Sequence, residues 1–239
     1  MSALLAFDTA TEQMSIVVAA GERVFAHETV GGAQASATLI PAILALLAQA
    51  GVGLRDLDAI AFGRGPGAFT GLRTACSVAQ GLAFGAGKPV LPIDTLLAVA
   101  EDSRAGADTW RVWVAMDARM NEIYAAQYAF ADGRWQVLDA PLLITPEALN
   151  ERWSSVPPQV LAGNALPAFG AQLRPGTAAL IRSDARPTAR VMLPLARALW
   201  SEGGAVDAAL ALPLYLRDKV AQTTVEREAT RLAKLEAAS

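Results

Sequence analysis

Residues 59–73 constrain this chain more than any other stretch. An apolar run, Ala59 to Phe62, leads straight into Gly63-Arg64-Gly65-Pro66-Gly67-Ala68-Phe69-Thr70-Gly71-Leu72-Arg73. Glycine reaches backbone angles closed to other residues, and proline fixes φ. The block therefore encodes a tightly bent turn between a strand and a helix that starts near Thr70. Amide groups at a helix start favour anions, which raises a phosphate loop as one reading. The spacing does not support it. A Walker A loop needs G-x-x-x-x-G-K-[ST], and the only Gly-Lys pair, Gly87-Lys88, is followed by Pro89. The G-x-G-x-x-G pattern fails too, because Gly65-Pro66-Gly67 leads to Thr70, with Gly71 one place late. A rigid, closely packed strand-to-helix corner accounts for the glycines better.

The chain around this corner is long enough for one large domain or two lobes, at 239 residues. Its hydrophobic content of 53% supports a substantial core, and its 18% of charged residues leaves little charged surface. No run of about eighteen apolar residues occurs, so no helical membrane span is expected. The start, Met1-Ser2-Ala3-Leu4-Leu5-Ala6-Phe7-Asp8, has no basic region and reads as a strand rather than a signal peptide. The single cysteine, Cys76, precludes an internal disulfide and suits a reducing cytoplasm. A net charge of −3, with few lysines and scattered arginines, argues against tight nucleic-acid binding by the chain alone.

The first half alternates strands and helices. Leu4 to Asp8 reads as a strand, and Met14 to Ala20 with Arg23 to Thr29 as a hairpin around Ala20-Gly21-Glu22. Ser36 to Ala50 has strong helical periodicity, with Leu39, Ile40, Ile43, Leu44, Leu46 and Leu47 apolar and Gly51 at its end. After the corner come a helix from about Thr70 to Phe84, a strand from Pro89 to Ile93 and a helix from Thr95 to Arg104. The second half opens with a strand from Arg111 to Met116. Ala6 to Met14 and Ala115 to Ile123 then match in pattern: a strand ending in Asp, a polar turn and an apolar return strand. This points to an internal duplication, with the boundary at Ala105 to Thr109. A capped helix follows near Thr145-Pro146-Glu147, then a strand at Gln159 to Ala162 and a helix from about Thr188 to Glu202. The expected units are residues 1–106, 107–222 and a charged helical tail, 223–239, whose core is Glu226 to Ala238.

Four motifs, in this order, resemble one family. They are Phe7-Asp8-Thr9-Ala10-Thr11; Gly63 to Arg73; Met116-Asp117-Ala118-Arg119 with Glu122 and Tyr124; and Pro213-Leu214-Tyr215-Leu216-Arg217. Together they are similar to the bacterial TsaB (YeaZ) family, over nearly the whole chain. The resemblance implies an α/β, duplicated actin/hexokinase-like (ASKHA, ribonuclease H-like) fold in two lobes. It implies a non-catalytic subunit in making threonylcarbamoyladenosine beside the tRNA anticodon. The partners implied are TsaD, which carries the chemistry, and the P-loop ATPase TsaE on the assembled pair. When the chain is alone, a homodimer and a monomer both stay open, and tRNA contact is expected only through the complex.

The residue inventory agrees with a non-catalytic role. The catalytic relative is implied to hold its metal through two histidines one helical turn apart, on the helix matching Ser36 to Ala50. That helix has no histidine here, and the only one in the chain, His27, lies in a strand. Nothing pairs His27 with Cys76 or with a serine in an elbow motif, which argues against a protease acting on TsaD. Asp8 and Asp117, each ending a strand before a turn, either cap those turns or contact nucleotide and magnesium. No cofactor is expected to be required by the chain itself, with ATP or ADP and magnesium entering in the assembled complex. A free-standing ATP-binding or kinase-like protein of the actin-like class is the alternative.

For the partner interface, Gly71, Ala75, Ala79 and Ala83 form a stripe of small residues spaced by four. Leu39, Ile43 and Leu47 belong to a helix apolar over more than one face. Arg64 and Arg73 flank the corner, where either could grip a partner carboxylate. The expectation is that these two helices meet another subunit; the competing one is that the small stripe packs on the chain's own sheet.

Overall fold

The computed structural model describes residues 2–217. Ten strands form two five-stranded sheets. The first sheet contains β1 (Ala3–Asp8), β2 (Gln13–Ala20), β3 (Arg23–Val30), β4 (Ala59–Gly65) and β5 (Val90–Asp94), in the order β3-β2-β1-β4-β5. The second contains β6 (Trp110–Asp117), β7 (Ile123–Ala131), β8 (Arg134–Ile144), β9 (Val160–Ala162) and β10 (Leu180–Arg182), in the order β10-β9-β6-β7-β8. Read from the opposite edge, the second order repeats the first. In each sheet an antiparallel meander of three strands is extended by two parallel ones. This duplicated ribonuclease H-like unit is the actin/hexokinase-like arrangement, and the repeat in sequence pattern corresponds to a repeat in topology.

The helices are α1 (Ala35–Ala50), α2 (Phe69–Ala86), α3 (Thr95–Arg104), α4 (Pro146–Ser155), α5 (Ala165–Phe169) and α6 (Ala189–Ser201). Strand alternation decides which sheet face each layer covers. Leu5, Phe7, Met14, Ile16, Val18, Ile60 and Phe62 pack against α1 and α2. Their neighbours Leu4, Ala6, Val17, Ala19, Ala59 and Ala61 face the other way, onto α6. In the second sheet Val112, Val114, Ala126 and Tyr128 face α3, whereas Trp113, Ala115, Ile123 and Ala125 face α4 and α5. The helices α3 and α6 thus lie between the two sheets.

Two helices pack on the sheet of the other half of the chain. The helix expected over Thr188 to Glu202 falls in the second expected unit, residues 107–222. As α6 it packs under the first sheet, with Met192, Leu193 and Ala196 against Leu4, Ala6 and Val17. Conversely α3, from the first half, packs on the second sheet through Leu96, Val99 and Ala100. Periodicity marks an apolar face but does not say which sheet covers it. The chain then returns along the first lobe, through a bridge between Val90 and Val206, before its described end at Arg217. The tail expected over 223–239 lies outside the described residues.

The expected interface residues are also relocated. Leu39, Ile43, Leu47, Ala75, Ala79 and Ala83 are all buried in the first lobe's own core, and Gly71 is buried as well. The small-residue stripe lets α2 approach β4 closely, so the competing expectation describes it. Burying Leu39, Ile43 and Leu47 in this way contributes about 1.5–3 kcal/mol each. What α1 turns outward is the adjacent row, including Ile40 and Leu44. The apolar width read from the sequence is real, but the solvent-facing row is one position round the helix.

Candidate functional site

A cleft of about 840 Å³ opens between the lobes. One wall is the first hairpin turn, from Ala10 to Gln13, with the corner residues Pro66, Gly67 and Ala68. The facing wall includes Met116 to Met120, Asn164 and Arg186. Leu214 to Arg217 line it as well.

The first wall is built by two of the sequence motifs locking together. Ala68 N–H donates to Ala10 O at 2.8 Å, and Thr9 Oγ1 donates to Gly71 O at 2.7 Å. A Cβ at Gly63 would collide with the Asp8 carboxylate, and one at Gly71 with the Thr9 carbonyl oxygen. At Gly71 a backbone turn passes where a side chain would start, and at Gly63 the Asp8 carboxylate fills that space. The corner's chemistry is close packing.

Asp8 ends β1, is 1% exposed and does not line the cleft. Burial pushes its pKa up to about 7, against the lowering effects of the Ala10 N–H and the Thr95 hydroxyl. The equivalent Asp117 ends β6 and does line the cleft. Both aspartates cap their own turns: Ala10 N–H donates to Asp8 Oδ1 and Arg119 N–H to Asp117 Oδ1, each at 2.8 Å. The duplication therefore extends to this local hydrogen bond. Asp117 also pairs with the Arg119 guanidinium at 3.1 Å, and Arg119 reaches Glu12 across the cleft at 2.8 Å.

Among the described residues no three His, Cys, Asp or Glu side chains gather closely enough to hold a metal ion. The cleft carboxylates Glu12 and Asp117 both face Arg119, and Asp8 is sealed behind Gly63. This donor set does not fit a resident magnesium ion. The Cys76 thiol is buried, which raises its pKa, and it donates to Ala211 O at 2.7 Å. His27 lies exposed on β3. The two sit in different places and form no nucleophile–base pair.

The flanking arginines have partners within the chain. Arg64 forms an ion pair with Asp94, at the ends of β4 and β5. Arg73 is exposed, stacks over the Phe69 ring at 3.8 Å, and donates from Nε to Tyr215 Oη at 3.2 Å. Sequence reasoning assigned no role to Tyr215 or Arg217, although both lie in a motif it singled out. Arg217 donates to Ala118 O at 3.1 Å, to Arg119 O at 3.2 Å and to Glu122 Oε2 at 2.7 Å. The turn it grips has three successive non-glycine residues with positive φ: Arg119 at 62°, Met120 at 56° and Asn121 at 59°. Left-handed backbone costs L-residues roughly 1–2 kcal/mol each, so this turn persists only because its surroundings hold it. The local sequence marks it weakly: glycine is absent from all three positions, and only Asn121 is of a type that visits left-handed backbone readily.

Comparison with known proteins fits this architecture. A family model described as TsaD: tRNA N6-adenosine threonylcarbamoyltransferase matches residues 26–157. The tRNA threonylcarbamoyladenosine biosynthesis protein TsaB of Escherichia coli (strain K12) is 35% identical over 227 residues, which covers 91% of this chain and 96% of that protein. The protein of the same name from Haemophilus influenzae is 36% identical over 230 residues, covering 91% and 94%. The solved structure of YeaZ from Pseudomonas aeruginosa superposes with a TM-score of 0.82 at 36% identity, covering 90% of this chain and all of that one. Matched in this way in sequence and in three dimensions, and with the TsaD model spanning parts of both lobes, the chain belongs to the TsaB (YeaZ) family.

Proposed function

We propose that this chain is a non-catalytic scaffold subunit in tRNA threonylcarbamoyladenosine biosynthesis, and that it acts by pairing with TsaD. The names of its relatives support the pathway. The observation that carries the pairing is the outward face of α1 and α2. Ile40 is 40% exposed, Leu44 49% and Phe84 85%. α1 contains no charged residue, and α2 contains only Arg73. Two adjacent helices turned to solvent with almost no charge present the kind of surface that protein partners cover.

In this reading the chain holds TsaD in a competent shape, an effect on populations rather than on bonds. TsaE docks on the assembled pair and brings the nucleotide and magnesium, so the chain needs no cofactor of its own. The complex works in the cytoplasm, and tRNA meets it through TsaD, in keeping with a net charge of −3. Without TsaD, two copies meet through the same face as a homodimer. No helix among the described residues is long and apolar enough to cross a membrane.

The test is to mix the chain with TsaD from the same organism and measure mass by light scattering on a sizing column. A complex is expected with wild type. The double variant Ile40→Glu, Leu44→Glu, folded by circular dichroism, is expected to bind about 30-fold or more weakly, the effect of losing about 2 kcal/mol at an interface centre. Undiminished binding by that variant places the interface elsewhere, and no wild-type complex with or without nucleotide removes the scaffold reading. The cleft favours a second reading, nucleotide binding by the chain alone. Turnover of magnesium-ATP by the isolated chain, abolished in Asp117→Ala, would favour it.

A further inference from the structure

We propose that residues 211–217 form a clamp that sets the angle between the two lobes, with Arg217 as its keystone. The segment is tied to the first lobe at several points. Ala211 O accepts from the Cys76 thiol at 2.7 Å and from Gln80 Nε2 at 2.9 Å, both on α2. Leu214 N–H donates to Arg64 O at 2.7 Å, next to the glycine corner. The Tyr215 ring packs on Phe69 with centroids 5.2 Å apart, and its hydroxyl accepts from Arg73. Two residues later the same backbone reaches the second lobe. There Arg217 donates to both carbonyls at the start of the 119–121 turn and to Glu122, and it also contacts the Met120 sulfur.

The layer of α3 and α6 holds the lobes together on one side, and the cleft separates them on the other. Among the described residues, two sets of polar contacts cross from lobe to lobe at the cleft. The Glu12–Arg119 pair is one, but its side chains are 88% and 72% exposed, and such pairs hold weakly. The segment 211–217 is the other, and its anchors are mostly buried or part-buried. Arg217 does two things at once. It ties the segment to the second lobe, and it stabilises the left-handed turn that carries Arg119 toward Glu12. Without it the turn has a reason to relax into ordinary backbone, and both cross-cleft links loosen together.

The experiment places nitroxide labels on Gln49→Cys, in α1, and Glu151→Cys, in α4, both exposed, and measures their separation by double electron–electron resonance in the full chain diluted into excess unlabelled chain, so that only distances within one copy are read. Wild type is expected to show one narrow population. Arg217→Ala is expected to broaden it and to add a longer distance. Adding Met120→Gly, which removes the side-chain penalty for positive φ, is expected to narrow it again. The same glycine should raise the melting temperature at least twice as much in the Arg217→Ala background as in wild type. An Arg217→Ala distribution that superimposes on wild type overturns the clamp. So does an equal benefit of Met120→Gly in both backgrounds, because then Arg217 does not support the turn. If Arg217→Ala does not fold, Arg217→Lys gives the same reading: it keeps the charge for Glu122, but its shorter chain and single nitrogen cannot hold the 118–119 carbonyls, which Nη2 grips, and the Met120 sulfur, which Nη1 meets, at the same time.

Discussion

Gly71→Ala is expected to destabilise the protein by about 3 kcal/mol or more, although alanine is by far the better helix former. The new Cβ would collide with the Thr9 carbonyl oxygen, which is backbone and belongs to the turn that also holds Asp8. That turn is pinned from both ends, by Ala10 O accepting from Ala68 N–H and by Thr9 Oγ1 donating to Gly71 O. It has no room to retreat, so either α2 moves off β4 or the first hairpin turn breaks. The matched control is Gly81→Ala on the same helix, where the added Cβ meets nothing within 4 Å. That change should stabilise by up to about 1 kcal/mol through propensity alone. Urea unfolding followed by circular dichroism reads both. For a chain of this size the Gly71 variant should lose roughly 6–12 °C in Tm. Equal stability of the two variants would show that the corner does not depend on close approach at Gly71.

Asp8→Asn is expected to stabilise the protein above neutral pH and to leave it almost unchanged near pH 4. The Asp8 carboxyl has its pKa raised from the ordinary 3.8 to about 7, chiefly by burial. Below pH 3.8 folded and unfolded chains both carry it protonated, and it contributes no pH dependence. As pH rises past that value the unfolded chain releases the proton while the folded chain retains it, so folding loses stability. The loss continues until the folded carboxyl also ionises near pH 7, then levels off. At 1.36 kcal/mol per pH unit the accumulated loss is on the order of 4 kcal/mol. Asparagine keeps the acceptor for the Ala10 N–H and has no charge to bury. Unfolding free energies of both proteins at pH 4, 5.5 and 8 check this. Parallel pH curves for wild type and variant would mean that Asp8 ionises freely, and that its environment is more polar than its burial implies.

Much of the fold is legible from local pattern. The expected helix over Ser36 to Ala50 appears as Ala35–Ala50, and the strand over Arg111 to Met116 as Trp110–Asp117. Periods of two and 3.6 report which face of an element is apolar, and that depends on a few neighbouring residues. The paired motifs ending in Asp8 and Asp117 signal the duplication because both turns use the same side chain to backbone bond. The candidate site is less legible. Leu39, Ile43 and Leu47 form as good an i, i+4 stripe as Ile40 and Leu44 do, and only the position of the sheet makes the first inward and the second outward.

The sequence alone therefore determined the order and type of most elements, the sharp corner at residues 63–71, the repeat of its two halves and the family to which they point. All of these depend on residues close together in the chain. Tertiary structure decided the rest. It sent α6 under the first sheet and α3 onto the second, because an apolar face packs on whichever sheet lies opposite. It hid the alanine stripe of α2 inside the first lobe. It also placed Arg217 on a turn nearly a hundred residues earlier, where the chain holds three successive left-handed residues, two of which, Arg119 and Met120, do not favour that backbone locally. Local pattern encodes what a segment prefers, but which segments meet depends on the space the whole chain leaves between its two sheets.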